Sequence, residues 1–195
     1  MKELFIIFFV FTLKFTQYGQ VHDSICFQKG SVALGIGIGQ KSHLGNFGFT
    51  LNYFFLKNFS IKTSIGLGML NFNGGILSVG PEYEQKINKK IFWSLGVVYS
   101  FATSTSGGIE THNINPPSYV IHSGAQYIRS SLGFGIRVKQ GFVKFEFGCS
   151  YIINKPTYST GGQWESKYTE WLEKGLGSGI LWGVTYRYSL GKLKK

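Results

Sequence analysis

Charged side chains recur on segments of the chain that otherwise alternate large apolar residues with small ones. In the stretch SSLGFGIRVKQGFVKFEFGCS, residues 130–150, Arg137, Lys139, Lys144 and Glu146 share one face, and the opposite face is apolar throughout. Across the chain, the charges that share a face with small residues are Lys62, Glu82, Glu84, Lys86, Arg129, Arg137, Lys139, Lys144, Glu146 and Arg187. Buried charges are tolerated when they are paired, so the pattern predicts ion pairs between neighbouring strands.

Strand adjacency predicts that Lys62 lies near Glu82 and Glu84. It also predicts that Glu146 lies near Arg137 and Arg187. The predicted ion network consists of Lys62, Glu82, Glu84, Arg137, Lys144, Glu146 and Arg187. We favour a structural network that fills the interior of a narrow barrel. The alternative is a selective pore or a gate that exchanges ion-pair partners, because the inward-facing glycines would leave room for a narrow wet path.

The histidines and hydroxyl groups do not form a recognisable catalytic or metal-binding set. The four histidines are His22, His43, His112 and His122. None pairs with another ligand at metal-binding spacing, so we expect no metal and no cofactor. His122 and Ser123 are adjacent, and on a strand adjacent side chains point to opposite faces, while Glu146 is distant in sequence. We therefore predict that the protein is not an enzyme.

A second candidate site is an aromatic face near the C-terminus, in the stretch GGQWESKYTEWLEKG. Trp164, Tyr168, Trp171 and Leu172 follow at i, i+4, i+7 and i+8, which predicts a short amphipathic helix closed by Gly175. This loop aromatic face, Trp164, Tyr168 and Trp171, could bind a partner or lie among lipid headgroups. It could equally pack on the barrel mouth as a lid.

The elements that position these residues are eight segments with a period of two, divided by turn residues. The segments are 31–40, 44–56, 59–70, 76–87, 91–101, 126–139, 142–152 and 178–190. Each is longer than the ~5–6 residues of a usual soluble strand and matches the ~9–11 residues that cross a bilayer. Pro81 removes a ladder hydrogen bond, so we predict a bulge there.

The apolar face of these strands is predicted to meet lipid, and the charged face to line a closed interior. A soluble barrel would need its large residues inside, whereas here the opposite faces carry mainly glycine, serine and charge. Predicted links alternate between two or three residues and long loops at 102–125 and 153–177. Trp93, Tyr99, Tyr127, Tyr151, Trp182 and Tyr188 fall near strand ends and are expected to form interface girdles.

The termini and the overall charge restrict the function further. Lys2 followed by the apolar run LFIIFFVFTL predicts an export signal over residues 1–20 rather than an anchor helix, whose apolar run would be too short. The formal net charge is +11, but the cations are scattered except at Lys192, Lys194 and Lys195, so we expect no nucleic-acid partner. Cys26 and Cys149 are predicted to lie too far apart to form a disulfide.

Over residues 29–190 this pattern resembles the small, eight-stranded outer-membrane β-barrel proteins of Gram-negative bacteria. The resemblance implies an all-β, eight-stranded antiparallel up-and-down transmembrane β-barrel in the cell outer membrane. It implies a signal peptide (1–20), a short periplasmic segment (21–30), the barrel (31–190) and a basic periplasmic tail (191–195). The implied partners are outer-membrane lipid, lipopolysaccharide and the barrel-assembly machinery. Members often end on an aromatic residue, whereas Tyr188-Ser189-Leu190 is followed here by GKLKK.

On these grounds we expect a structural or surface-binding role, with the two long loops presented to an extracellular ligand. The first alternative is a narrow channel for small ions or solutes. The second is a lipid-modifying outer-membrane enzyme.

Overall fold

The computed structural model describes residues 27–67, 74–103, 105–109, 118–138, 141–154, 157–161 and 177–192. The predicted signal peptide, the predicted helix with Trp164, Tyr168 and Trp171, and Cys26 lie outside these residues. Within the described ranges, no helix has the length and apolar character needed to cross a bilayer.

Eight strands close into an antiparallel barrel, and each barrel strand pairs with the barrel strands that come before and after it in the chain. They are β1 (Ser31–Gln40), β2 (Phe47–Leu56), β3 (Phe59–Leu67), β4 (Gly75–Lys86), β5 (Ile91–Ala102), β8 (Ala125–Val138), β9 (Gly141–Asn154) and β11 (Gly179–Lys192). The first and last strands complete the ring, with Leu34 opposite Tyr188 and Ile38 opposite Val184. The closed up-and-down barrel confirms the fold that both the alternating pattern and the resemblance predicted.

The connections alternate between two kinds, and this alternation defines two ends of the barrel. At the short-turn end, residues 57–58, 87–90 and 139–140 join the strands. The second of these turns has four residues rather than the two or three predicted, because the Asn88 side chain accepts hydrogen bonds from the N–H groups of Lys90 and Ile91, both at 2.8 Å. At the opposite end, which we call the long-connection end, residues 103–124 and 155–178 link strands of the barrel.

Three further strands lie within these two long connections. They are β6 (Thr105–Ile109), β7 (Ser118–His122) and β10 (Tyr158–Gly161), and they form a separate antiparallel sheet with β7 in the centre. The prediction of loops at 102–125 and 153–177 is therefore wrong in part. The sequence does not predict these strands, because β6 (TSGGI) and β10 (YSTG) are short and rich in glycine and hydroxyl residues and show no apolar alternation.

The predicted bulge at Pro81 is wrong. Val79 pairs with Tyr99 and Glu82 with Gly96, so the β4–β5 register is the same on both sides of the gap at Gly80 and Pro81. The proline interrupts the ladder without adding a residue. Register shifts occur instead within β1–β11, β2–β3 and β8–β9, at Val32/Ala33, Phe54/Leu56 and Gln126/Tyr127.

The two faces of the barrel wall differ sharply in polarity. On β2, Phe47, Phe49, Leu51 and Tyr53 are exposed, and the alternating positions, including Asn52, point inward and are buried. More polar or charged side chains than apolar ones are buried among the described residues. This inversion of the soluble pattern is that of a barrel surrounded by hydrocarbon, where a closed sheet lets backbone groups pair between strands.

Candidate functional site: the barrel lumen

Ion pairs occupy the middle of the lumen, where side chains from β3, β4 and β9 meet. The Lys62 ammonium lies 2.6 Å from Glu146 Oε1 and 3.1 Å from Glu82 Oε1. The Lys144 ammonium lies 3.0 Å from the same Glu146 oxygen and also contacts Glu82 Oε1. All four side chains are almost completely buried, so these pairs are shielded from water.

A third carboxylate and a third cation extend the group toward the short-turn end. Arg187 Nη2 lies 2.7 Å from Glu84 Oε1, and Lys144 Nζ lies 3.5 Å from that oxygen. Arg187 Nη1 is 3.6 Å from Glu82 Oε2, which also accepts a 2.8 Å hydrogen bond from Asn52 Nδ2. We call Lys62, Lys144, Arg187, Glu82, Glu84 and Glu146 the ion cluster. Its three positive and three negative charges balance.

The structure brings together six of the seven residues proposed as an ion network, but with partly different partners. Lys62 pairs with Glu82 as expected, whereas Glu84 is bound by Lys144 and Arg187. Glu146 pairs with the two lysines rather than with Arg137 or Arg187.

Arg137 lies outside the ion cluster. It faces Phe142 across the β8–β9 ladder, four residues along β8 from Gly133, which is the residue opposite Glu146. That offset corresponds to about 13 Å along a strand, and Glu146 is bound instead by Lys62 and Lys144. The placement of Arg137 near Glu146 is thus corrected: alternation assigned the correct face, but not the depth.

Arg129 is a buried cation with different surroundings. Its side chain is 1% exposed, and its guanidinium carbon lies 4.5 Å from the centre of the Tyr127 ring. Its Nε donates a 3.3 Å hydrogen bond to the Ser150 hydroxyl, while Nη1 and Nη2 have no hydrogen-bond acceptor among the described residues. The aromatic ring therefore provides the main compensation for this charge.

The connection between β1 and β2 folds into the lumen at the long-connection end. We call Lys41–Asn46 the plug loop. Ser42, His43 and Leu44 are buried, and the His43 carbonyl accepts hydrogen bonds from the hydroxyls of Ser64 (3.0 Å) and Ser78 (3.3 Å). These two serines lie on different barrel strands, so the loop is fixed to both. No pattern in the sequence predicts this plug.

The space for the plug loop comes from inward-facing glycines on three strands. A methyl group on Gly37 would lie 2.9 Å from the Leu44 side chain, and one on Gly48 would lie 2.9 Å from the Leu44 carbonyl oxygen. On Gly66 it would overlap that carbonyl directly. The expectation that the inward glycines leave a wet path is therefore wrong at these positions, because the loop fills the space they leave.

The loop also reaches the ion cluster. His43 Nδ1 lies 3.7 Å from Glu146 Oε2, so the plug and the buried charges form one continuous packed region.

Aromatic rings fill the lumen at the short-turn end. Phe27, just before β1, lies 5.5 Å from Phe54, 5.1 Å from Phe92 and 6.0 Å from Phe142, measured between ring centres. We call these four residues the phenylalanine plug. Phe27 has a positive φ of 71°, and its carbonyl accepts a 2.8 Å hydrogen bond from Asn58 N–H in the β2–β3 turn. Phe27 is thus held under the barrel, against the β2–β3 turn.

Two of the three residues that a Ser–His–Glu catalytic set would need, Ser123 and Glu146, lie apart in the described structure. The Ser123 hydroxyl accepts a 2.9 Å hydrogen bond from Thr157 N–H, beside the sheet of β6, β7 and β10. Glu146 instead lies in the ion cluster. In the described part of the chain, His, Cys, Asp and Glu side chains do not gather into groups of three that could hold a metal ion.

Comparison with known proteins gives only distant similarities. No protein-family model matches the chain, and no curated protein matches it. Among solved structures, it is similar to a major outer membrane protein from Thermus thermophilus, at 10% identity and a TM-score of 0.47, covering 80% of this chain and 99% of that one. It is also similar to CarO2 from Acinetobacter baumannii, at 12% identity and a TM-score of 0.42, covering 83% and 99%. Since these TM-scores are low, the barrel assignment rests on the strand pairing of the chain itself.

Proposed function

We propose that this protein is an integral outer-membrane β-barrel with a closed lumen, and that its role is structural or surface-binding. The apolar outer face and polar interior support insertion into a membrane. The observation that carries the role is the filling of the lumen at three levels within the described residues. The plug loop, the ion cluster and the phenylalanine plug follow one another from the long-connection end to the short-turn end.

The electrostatics of the ion cluster favour a structural role over a pore. A permeating ion would have to separate buried pairs such as Lys62–Glu146 and Arg187–Glu84, at 2.6 and 2.7 Å. Leaving one member of a buried pair without its partner costs ~3–5 kcal/mol. The role we propose is accordingly non-conducting, and we propose no enzymatic activity for it.

The surface-binding part of the proposal is supported by the sheet of β6, β7 and β10. Along the chain, β6 follows β5, β7 precedes β8, and β10 follows β9. The sheet that they form therefore lies at the long-connection end of the barrel. In the described residues β6 and β10 are the outer strands of this sheet. Outer strands carry unpaired backbone groups that can bind an extended segment of another protein.

Conductance of the refolded protein in a planar bilayer tests this proposal, with a sixteen-stranded porin as the insertion control. A shift in gel mobility on boiling establishes that the sample is folded. We expect a folded, inserted protein that gives no current steps across a range of salt concentrations. Reproducible steps would refute the closed lumen and support the narrow channel. Glu146→Gln and Arg187→Gln would then identify the residues that set ion selectivity.

A further inference from the structure

The barrel gathers exposed cations at its short-turn end, although they are scattered in sequence. Lys29 precedes β1, and Lys57 lies in the β2–β3 turn. Lys89 and Lys90 lie in the β4–β5 turn. We call these four residues the basic collar. All four are exposed.

No exposed acidic residue accompanies the basic collar among the described residues at this end. The nearest carboxylate in sequence, Glu84, is buried and binds Arg187. The connections at the other end are balanced by contrast. Their charged residues are Lys41, Glu110, Lys155, Glu165, Lys167, Glu170, Glu173 and Lys174, which are four of each sign. The ion cluster is also neutral, so the exposed positive charge of the described residues is concentrated at the short-turn end.

An aromatic ladder on the outer face marks the depth at which the collar lies. The rings of Phe59 and Tyr83 are 4.8 Å apart, and those of Tyr83 and Trp93 are 5.5 Å apart. Tyrosine and tryptophan on a lipid-facing surface occupy the boundary between hydrocarbon and headgroups. Lys57 lies two residues before Phe59 and Lys90 three residues before Trp93, about 7 and 10 Å further toward the short-turn end. These distances place the ammonium groups at the level of lipid phosphates.

We propose that the basic collar binds the phosphates of anionic phospholipids in the leaflet at the short-turn end. This inference rests on the proposed membrane insertion. All four cations are lysines, which act as point charges on flexible stems rather than as rigid bidentate donors. The collar therefore selects lipids by negative charge and not by headgroup shape. A lipid is favoured over a soluble acidic partner because the cations continue directly from a surface already bounded by aromatic rings.

The test measures the selectivity of the first lipid shell with spin-labelled phosphatidylglycerol and phosphatidylcholine in vesicles of phosphatidylcholine. At low salt we expect the full-length protein to prefer phosphatidylglycerol by about fivefold, the effect of one well-placed cation. The preference should fall toward unity at 1 M salt, where the Debye length is only about 3 Å.

Matched variants locate the effect. Lys57→Gln/Lys89→Gln/Lys90→Gln should lose most of the preference, and the arginine versions of the same three should keep it. Lys155→Gln/Lys167→Gln/Lys174→Gln removes equal charge from the long connection at the other end and should keep it as well. Equal loss in both glutamine triples would overturn the proposal, and so would an unchanged preference in the collar triple.

Two further outcomes have distinct meanings. If the collar triple alters binding of soluble polyglutamate but not of spin-labelled phosphatidylglycerol, the collar recognises an acidic macromolecule and the lipid proposal is wrong. If the wild-type protein does not insert into pure phosphatidylcholine vesicles, as judged by the heat-dependent gel shift, the proposed function itself fails. The two failures are therefore separable.

Discussion

Replacing Lys144 with methionine is expected to destabilise the barrel strongly. The Lys144 ammonium contacts Glu82, lies 3.0 Å from Glu146 and 3.5 Å from Glu84, and its side chain is 1% exposed. Without it, three buried carboxylates share two cations, Lys62 and Arg187. Removal of one partner from a buried pair costs ~3–5 kcal/mol, so Lys144→Met should lower the free energy of unfolding by about that amount. The assay is guanidinium unfolding in lipid vesicles, followed by tryptophan fluorescence.

Arg129→Met is the matched control for this substitution. Arg129 is as deeply buried as Lys144, but no carboxylate of the described residues pairs with it. Replacing a poorly compensated buried charge with an apolar side chain of similar length is often neutral or stabilising. We therefore expect removal of the charge itself to leave the free energy of unfolding unchanged or to raise it. The lost cation–π interaction with Tyr127 offsets any gain by ~1–2 kcal/mol.

A double substitution separates charge pairing from packing. Adding Glu82→Gln to Lys144→Met restores the balance at two cations and two carboxylates. We expect it to recover part of the lost stability, which would appear as a coupling energy between the two sites. A cost for Lys144→Met below about 1 kcal/mol, or equal costs for Lys144→Met and Arg129→Met, would refute the view that the ion cluster stabilises the closed lumen.

Three further predictions concern the two plugs and the outer face. Gly66→Ala should lower the free energy of unfolding by ~1–3 kcal/mol, because its methyl group would overlap the Leu44 carbonyl. Gly75→Ala is the control, since a methyl group there would have its nearest neighbour at 3.8 Å, and unfolding curves in vesicles should show no change. Phe27→Ala should cost ~3–5 kcal/mol by opening a cavity among the rings, and an unchanged unfolding midpoint would contradict the packing described for that end. Cys149 is exposed on the outer face. In a protein without the other cysteine, a charged maleimide should therefore label Cys149 much more slowly in vesicles than in guanidinium. Equal labelling rates would argue against a lipid-facing β9.

The barrel strands could be predicted closely from sequence because each carries its own evidence. β2 and β5 read as alternation of aromatic or branched residues with small ones, and each begins or ends within three residues of its predicted bound. Alternation also assigned the inward face of Lys62, Glu82 and Glu146 correctly. These are local properties, set by the two-residue repeat of a strand.

The plug loop and the phenylalanine plug could not be predicted in this way. The sequence of the plug loop, KSHLGN, has the composition of an ordinary turn, and Phe27 precedes the first strand without any pattern. Their positions depend on contacts between residues distant in sequence, such as His43 with Ser64 and Ser78, or Phe27 with Phe92. The inward-facing glycines indicate that another group approaches the backbone closely at these positions. They do not indicate which group that is.

Arg137 shows why the face of a strand and the depth along it are separate problems. Alternation places Arg137, Lys86 and Glu146 on the same inward face. If only strand adjacency is considered, opposite charges on neighbouring strands are then predicted to form ion pairs, such as Arg137 with Glu146. Depth, however, is set by register, which places Glu146 opposite Gly133 at the ion cluster and Arg137 opposite Phe142 near the rim. Lys86 also reaches the rim, where its ammonium lies 5.8 Å from the Phe27 ring. The same inward pattern therefore includes cations at two depths: those at the middle of the strands balance carboxylates in the ion cluster, and Arg137 and Lys86 lie near the rim. Register, and not residue type, decides which inward-facing cations join the ion cluster.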